Sequence, residues 1–426
     1  MKEKYYDSTS SLVMGVLLLG LAIVLFIGKD SIYRSMVSVI VLILFVRAFL
    51  DMVRFFFRKQ NIQEKKTVFI SWLFHLGVCF VFMIIPNLFY GFVPVLFSFY
   101  LLVIGISQFV MCVVQIKNGE FIKISQFLLG VIYFGIAIPI MRAPVTKLDT
   151  FVLCLAIYAV FLGFYSIYDF VIQIIPVRTK NKVKRSIRIT LPKVVEALIP
   201  YSVMVEINRN LDVREMSTYC FEKDDLVSDL HILIHTSNRG FNRMGHIDVC
   251  FEGQVISYGN YDEGSRICHD FFGDGVLFIA NSKSDYINFC IDHSKKTVFD
   301  FGIALTNHQK ERVRKRIDEL CANTVEWNHR RDKKYCHGKS YAAKLYKKTR
   351  AKFYKFKKGK YRTYFVLGTN CCYLADDIIG KSGTDILSIN GIITPGTYYD
   401  YLNRELRLKS SNVISKEVYN SSHRAK

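Results

Sequence analysis

The fold of the second half of this 426-residue chain is decided by the stretch Gly245-His-Ile-Asp-Val-Cys-Phe-Glu-Gly-Gln-Val-Ile-Ser-Tyr-Gly259. Apolar and polar side chains alternate on both sides of Glu252-Gly253, which is the period of a half-buried β-strand. A short turn that contains glycine between two such runs is typical of a β-hairpin. The stretch therefore predicts an antiparallel pair of strands.

The sequence around this hairpin predicts an α+β domain with an antiparallel sheet over residues 194–410. Residues 229–235 alternate in the same way as the hairpin strands. Further strand candidates are residues 276–281, 297–304 and 362–367. Capping residues, a terminal glycine and an early proline predict helices over residues 306–321, 368–380 and 393–405.

The first half of the chain is almost continuously apolar, and a membrane-spanning helix needs about 20 apolar residues. Six segments meet this requirement: residues 12–28, 32–53, 67–86, 88–115, 124–141 and 150–175. Gly20, Gly77 and Gly135 recur at intervals of 57 and 58 residues, and a glycine or proline ends each span. The pattern predicts a polytopic α-helical membrane domain over residues 1–176, with six transmembrane helices in three hairpin repeats. Glycine at these positions is expected to let helices approach closely.

The basic residues predict the orientation of these spans. Sixteen Lys and Arg residues fall on one side of the six spans and three on the other, within a chain whose net charge is +21. By the positive-inside rule, we expect a multi-pass protein of the cell membrane with both termini in the cytoplasm. The basic run 177–193 is interpreted as a juxtamembrane linker, either as a topology signal alone or as a segment that also binds anionic lipid.

The cysteines indicate a reducing compartment. Eight of the 11 lie outside the spans, without a CxxC pair or zinc-ligand spacing. We therefore expect no disulfide framework, no metal site and no cofactor.

A strongly basic insert occupies residues 329–362, where 15 Lys and Arg residues accompany one acidic residue. Residues 338–358 are compatible with an amphipathic helix. Because a tethered domain stays beside the membrane, we expect anionic lipid as a partner of this insert. The contact residues would be Lys344, Lys347, Lys348 and Lys355. A solvated surface helix is the alternative, nucleic acid is not expected as a partner, and residues 411–426 are expected to form a flexible tail.

Asn370-Cys371 stands directly before an apolar helical run, and this position suits a nucleophilic thiol. Backbone N–H groups and the helix dipole at a helix N-terminus stabilise a thiolate. The base must then come from elsewhere in the fold, and His246 on the hairpin is the best candidate. Asp248 shares the strand face of His246 and could orient its imidazole. The alternatives are Cys372 as nucleophile and His231 or His235 as base.

The repeated pattern of a glycine, an apolar run and a proline in the spans resembles the HdeD-like acid-resistance membrane family. The resemblance covers about residues 10–175 and implies the six-helix arrangement of that family.

The order of Gly245-His246, Gly253-Gln254-Val255, Gly259 and then Asn370-Cys371 resembles the permuted papain-like fold of NlpC-type peptidases and lecithin retinol acyltransferase-like proteins. The resemblance covers about residues 229–405. It implies Cys371 as nucleophile, His246 as general base, and an oxyanion held at the Cys371 backbone N–H beside Asn370. The third polar residue of that family falls on residues 254–260, where the chain offers Ser257, Tyr258 and Asn260, with Asp262 just beyond. Asn260 is the position assigned to this role.

These observations predict a membrane-anchored papain-like thiol hydrolase or acyltransferase. It would act on an amide, ester or thioester at the cytoplasmic membrane face, with a peptide or a lipid acyl group as substrate. The alternative is a non-catalytic HdeD-like membrane protein of stress or envelope homeostasis, whose cytoplasmic domain binds lipid or peptide.

Overall fold

The computed structural model of the chain describes residues 2–57, 62–174, 221–222, 227–237, 245–268, 270–328, 340–382, 394–407 and 411–420. The predicted linker 177–193, the first part of the basic insert (329–339) and the last tail residues (421–426) lie outside the described residues. The chain divides into two compact units. One contains residues 1–112 and 123–174, and the other contains residues 113–122 and 175–426.

The first unit is helical. Its helices are α1 (Lys2–Phe57), α2 (Ile62–Ile84), α3 (Pro86–Lys117), α4 (Ile124–Arg142) and α5 (Leu148–Ile174). Among the described residues, five helices are long and apolar enough to cross a membrane. The first two predicted spans both lie in α1, which is interrupted at Lys29 with φ 46°. A left-handed residue cannot continue a right-handed helix, so this residue separates two helical stretches. The N-terminal half is thus a set of membrane-length helices.

The close helix contacts lie at other glycines than the predicted ones. A Cβ added to Gly20, Gly77 or Gly135 would meet no atom of the described residues within 4 Å. Close contacts occur instead at other glycines, among them Gly15 of α1 and Gly163 of α5, where a Cβ on Gly15 would lie 2.9 Å from the Gly163 carbonyl oxygen. The prediction for the three repeated glycines is therefore wrong, because a regular spacing does not show which side of a helix a glycine occupies.

The second unit contains an antiparallel sheet, as predicted. Its strands are β1 (Phe221–Glu222), β2 (Leu230–Thr236), β3 (His246–Phe251), β4 (Gln254–Gly259), β6 (Val276–Ala280), β7 (Thr297–Ile303), β8 (Thr324–Glu326), β9 (Lys352–Phe356) and β11 (Val413–Tyr419). In the part of the chain that is described, they form a nine-stranded sheet in the order β1-β11-β7-β2-β3-β4-β6-β9-β8. A separate pair consists of β5 (Phe272–Asp274) and β10 (Thr363–Phe365). The hairpin predicted over residues 245–259 is the β3–β4 pair.

Helices cover both faces of this sheet because strand side chains alternate between the faces. Ile232 and Ile234 belong to a core that includes residues of α7 (Asn307–Ala322), α9 (Cys371–Ser382) and α10 (Pro395–Arg407). Leu233 belongs to a second core with residues of α6 (Lys283–Ser294) and α8 (Tyr341–Thr349). His231 and His235 alternate along β2 with Ile232 and Ile234, so they lie on the opposite face of the sheet, which α6 covers.

Two segments differ from their predictions. The expected flexible tail contains β11, which pairs with β1 and β7 and buries Ile414 and Val418 completely. The expected helix over 338–358 is helical only in α8 and then continues as β9. Arg350, with φ 54°, ends the helix, and β9 pairs with β6 and β8.

The four lysines predicted to contact lipid do not share one environment. Lys344, Lys347 and Lys348 are exposed on α8. Lys355 lies in β9, and its Nζ is 2.6 Å from Asp262 and 2.8 Å from Asp274. Lys355 therefore forms ion pairs within the fold, which removes it from the predicted lipid surface.

Candidate active site

Cys371 is the first residue of α9, and the preceding turn fixes its position. The side-chain oxygen of Asn370 accepts the Tyr373 N–H at 3.1 Å, and its amide nitrogen donates to the Val366 carbonyl at 2.8 Å. Asn370 thus caps the helix and also ties it to the loop before it. Cys371 is only 5% exposed, so its thiol lies in a buried, dipole-rich position.

His246 is the first residue of β3, and its imidazole lies near enough to the Cys371 thiol that each group shifts the pKa of the other. The backbone of Ile247 also lowers the pKa of this thiol. The structure thus brings together a sulfur and an imidazole that are 125 positions apart in the sequence. The packing of α9 against the sheet produces this meeting.

The charges of this pair shift both pKa values in the direction of a thiolate and an imidazolium. A hydrogen bond from Cys372 and the charge of His246 lower the pKa of Cys371 well below its usual value, although burial opposes the shift. Burial alone would lower the pKa of His246, but the negative charges of Cys371 and Asp248 outweigh burial and raise it to about 10. Burial raises the pKa of Cys372 instead, so the neighbouring thiol stays protonated.

Three oxygen atoms surround the other side of the His246 ring. Nε2 lies 3.1 Å from Ser257 Oγ, 2.9 Å from the Tyr261 hydroxyl and 3.1 Å from Asp248 Oδ1. The contact with Asp248 is an ion pair, whereas the two hydroxyls are hydrogen-bond partners. Asp248 thus lies where its position on β3 predicts, two residues after His246 on the same strand face.

Asn260 does not reach the imidazole. Its side-chain amide donates to the Asp270 carbonyl at 2.8 Å, and its backbone carbonyl accepts from Arg266 at 3.0 Å. Asn260 therefore fastens the loop that follows β4. Ser257 and Tyr261 occupy the place that the sequence analysis assigned to Asn260.

A second layer of side chains holds the Asp248 carboxylate. His235 is paired directly opposite His246 on β2, and its Nε2 is 2.8 Å from Asp248 Oδ2. Tyr286 of α6 donates to the same oxygen at 2.7 Å. Burial lowers the pKa of His235 to about 3, so this imidazole is neutral and serves as a donor to Asp248.

His235, His246 and Asp248 are also the described side chains that could hold a metal ion, because a ligand atom of each lies within 4.8 Å of the others. Ligand atoms about 2 Å from a tetrahedral zinc ion lie ~3.3 Å from one another. The 2.8 Å separation of His235 Nε2 and Asp248 Oδ2 is a hydrogen-bond distance. The contacts therefore fit a hydrogen-bonded relay better than a metal centre.

His231, the other candidate base, lies on the same face of β2 but four residues from His235, or about 13 Å along the strand. Its Nδ1 is 2.9 Å from Asp300 Oδ1, and Lys283 Nζ is 2.7 Å from Asp300 Oδ2. His231 and Lys283 border a cavity of about 310 Å³ that Lys310 also lines. The structure does not bring His231 to the thiol.

Comparisons of the chain with protein-family models, with curated proteins and with solved structures found no match. The resemblances to HdeD-like and papain-like proteins therefore stay predictions.

Sequence reasoning missed Tyr261 and Tyr286 as members of the site. Tyr286 is buried and Tyr261 is partly buried, and their hydroxyls approach Asp248 and His246, respectively. Tyr261 follows β4 by two residues, so its place near Ser257 could have been considered. Tyr286 reaches Asp248 only because α6 covers this face of the sheet, and no local sequence signal indicates that contact.

Proposed function

We propose that this protein is a membrane-anchored thiol hydrolase or acyltransferase that acts on an amide, ester or thioester. The observation that carries the proposal is the proximity of Cys371, at the start of a helix, to the imidazole of His246, through which each group shifts the pKa of the other. A thiolate made stable by an imidazolium is the form of cysteine that attacks acyl groups.

The proposed reaction has two stages. The Cys371 thiolate attacks the carbonyl carbon of the substrate, and the carbonyl electron pair moves to oxygen, which the Cys371 backbone N–H stabilises. The tetrahedral intermediate then expels the leaving group, which takes the proton from the His246 imidazolium. An acyl-enzyme and a neutral imidazole remain. In the second stage, His246 accepts a proton from water or from an acceptor hydroxyl, thiol or amine, which attacks the acyl group and releases Cys371.

Asp248, Ser257 and Tyr261 are positioning residues in this scheme. Their oxygens approach Nε2 of His246 at 2.9–3.1 Å. This arrangement turns the opposite ring edge toward the thiol and stabilises the imidazolium. The neutral His235 and Tyr286 in turn fix the Asp248 carboxylate.

The five membrane-length helices support a membrane location. The excess of basic residues on one side of the spans supports a reaction at the cytoplasmic face. The test is a reporter that functions only outside the cytoplasm, fused to the carboxy terminus. Activity of this reporter would contradict the orientation.

Acyl-enzyme trapping tests the proposal. The full chain in lipid nanodiscs is mixed with an activated ester or a short-chain acyl thioester and is then digested with trypsin. The peptide of residues 363–381 contains both Cys371 and Cys372, and fragmentation in the mass spectrometer assigns the acyl group to one of them. We expect acylation on Cys371, loss of acylation in Cys371→Ala and retention in Cys372→Ala.

Two results would contradict the proposal. One is acylation that persists in Cys371→Ala at the wild-type rate, and the other is an acylation rate that does not change in His246→Ala. Metal analysis of the purified chain adds a separate control. A stoichiometric ion that is lost in His235→Ala and His246→Ala would assign these residues to a metal site instead.

A further inference from the structure

A buried asparagine far from Cys371 in the sequence supports the turn on which the start of α9 depends. Asn118 directly follows α3, belongs to the second compact unit and is 2% exposed. Its Oδ1 accepts from the Thr363 hydroxyl at 2.8 Å, and its Nδ2 donates to the Lys360 carbonyl at 3.3 Å. Its own carbonyl accepts the Gly359 N–H at 3.1 Å. One side chain and its backbone therefore hold three positions of the turn between β9 and β10.

The neighbouring residue adds another contact to the same turn. The Arg362 guanidinium donates to the Lys117 carbonyl at 3.0 Å. Residues 117–118 thus make four hydrogen bonds to residues 359–363. A buried polar group that loses its partner costs free energy, so these bonds define one arrangement of the turn.

This turn reaches the nucleophile by two routes. Along the first, the Thr369 hydroxyl donates to the Thr363 carbonyl at 2.7 Å, and the Phe365 N–H donates to the Thr369 carbonyl at 3.1 Å. Thr369 is 2% exposed and precedes Asn370 and Cys371 directly. Thr363 therefore links the two residues: its hydroxyl donates to Asn118, and its carbonyl accepts from Thr369 in the loop before Cys371.

The second route passes through Tyr361, which is in the same turn. Its hydroxyl donates toward the Tyr373 carbonyl at 3.2 Å and toward Asp377 Oδ2 at 2.8 Å, both in α9. Its carbonyl accepts from the Tyr258 hydroxyl at 3.0 Å. The turn that Asn118 holds is therefore fastened both to the loop before Cys371 and to the first turns of the helix after it.

From these contacts we infer that Asn118 is a positioning residue for Cys371. The inference rests on the proposed function, since it concerns the placement of the proposed nucleophile against His246. Its physical basis is that a thiol–imidazole pair depends on sub-ångström placement, and a displacement of about 1 Å in an active site can cost ~100-fold in rate.

The test uses the full chain in nanodiscs and compares Asn118→Ala with Asn323→Ala. Asn323 is a matched control because its side-chain amide also donates to this turn, at the Lys358 carbonyl and 2.7 Å. Its side-chain hydrogen bond goes to residue 358, outside the stretch 359–363 that Asn118 holds, so it lies beside the route and not on it. The measurements are the rate of Cys371 acylation, the pH midpoint of Cys371 alkylation and the thermal unfolding midpoint.

We expect Asn118→Ala to slow acylation about tenfold or more and to move the alkylation midpoint upward, toward that of an ordinary thiol. Asn323→Ala should leave both near the wild-type values. Asn118→Asp keeps an acceptor for Thr363 at the same size, so it should recover a large part of the lost rate. A merely structural role would lower the unfolding midpoint without moving the alkylation midpoint.

The inference is overturned if Asn118→Ala leaves the rate and the alkylation midpoint unchanged. It is also overturned if Asn323→Ala changes them as much. The wild-type protein reports separately on the proposed function. If its Cys371 titrates as an ordinary thiol and takes no acyl group, the proposed function fails, whatever the Asn118 variants do.

Discussion

Replacing His246 with alanine should move the pH midpoint of Cys371 alkylation to about 8.5, the ordinary range of a cysteine. In the wild-type protein, the hydrogen bond from Cys372 and the charge of His246 lower the pKa of Cys371 well below its usual value, although burial opposes them. The variant loses the charge, and the two effects that remain, the Cys372 hydrogen bond and burial, oppose each other. The reactive thiolate should therefore be present in the wild type at pH values where the variant carries a protonated thiol.

The magnitude depends on two opposing effects. A thiol with a pKa of about 8.5 is ~1% ionised at pH 6.5, so the variant loses about 100-fold in thiolate concentration there. A thiolate of higher pKa is intrinsically more nucleophilic, with a Brønsted coefficient of about 0.4–0.5. Each pH unit by which the wild-type midpoint lies lower returns about 2.5- to 3-fold of this loss. The variant should therefore react more slowly than wild type at pH 6.5, by less than about 100-fold, and faster than wild type once both thiols are ionised, above about pH 8.5.

The assay is iodoacetamide alkylation between pH 4 and 10, quantified on the tryptic peptide 363–381, in which fragmentation distinguishes alkylation of Cys371 from that of Cys372. His308→Ala is the control, because His308 is exposed on α7. The crossing of the two rate profiles is the diagnostic result. Profiles of wild type and His246→Ala that share one midpoint would refute the thiolate–imidazolium pair.

Three further predictions concern separate parts of the second unit. Asp248→Asn removes a charge that helps raise the pKa of His246 to about 10. At high pH the imidazolium loses its proton and acylation falls, and in the variant this fall should begin at a lower pH. A stopped-flow pH–rate profile with an unchanged alkaline limb would contradict this. Ile414→Ala in β11 should lower the free energy of unfolding by about 2–5 kcal/mol in pulse proteolysis, whereas a change within ~0.5 kcal/mol would fit a flexible tail. Thr306→Ala should cost about 1 kcal/mol because Thr306 caps α7 in a capping box with Gln309, and Thr306→Ser should retain most of that stability.

Local periodicity was sufficient to predict the central strands and several helices. Residues 229–235 and 245–258 alternate, and both regions are strands whose alternate side chains enter different cores. The helix after Thr306 begins as predicted because its cap is contained in four consecutive residues. Such elements can be predicted because the signal and the structure have the same local range.

The errors arose where charge concealed a local pattern. Residues 352–356 read Lys-Phe-Tyr-Lys-Phe, and the density of basic residues favoured a helix over a strand. Phe353 and Phe356 are nevertheless buried in β9. Residues 413–419 also contain charges, but β11 needs partners from β1 and β7 to become a strand. A short strand with charged positions has too little local signal to be distinguished from a tail.

The candidate site divides in the same way. The position of Asp248 beside His246 follows from the two-residue period of a strand, and the helical start at Cys371 follows from the apolar run after it. Ser257 and Tyr261, and not Asn260, contact His246, and this outcome depends on how the loop after β4 folds. The proposed role of Asn118 depends on its hydrogen bond with Thr363, 245 positions further along the chain. A single sequence without aligned relatives does not predict such a contact.

The assignment of residues 113–122 to the second unit has a practical consequence for expression work. A truncated fragment that starts after α5 would lack residues 113–122, which belong to the second unit, because this unit is built from two separate segments of the chain. Without residues 113–122, the Thr363 hydroxyl and the Gly359 N–H would lose the hydrogen-bond partners that they have in the intact chain. A loss of thiol reactivity in such a truncation would therefore say nothing about catalysis, whereas a fragment with residues 113–122 grafted on by a flexible tether should regain it.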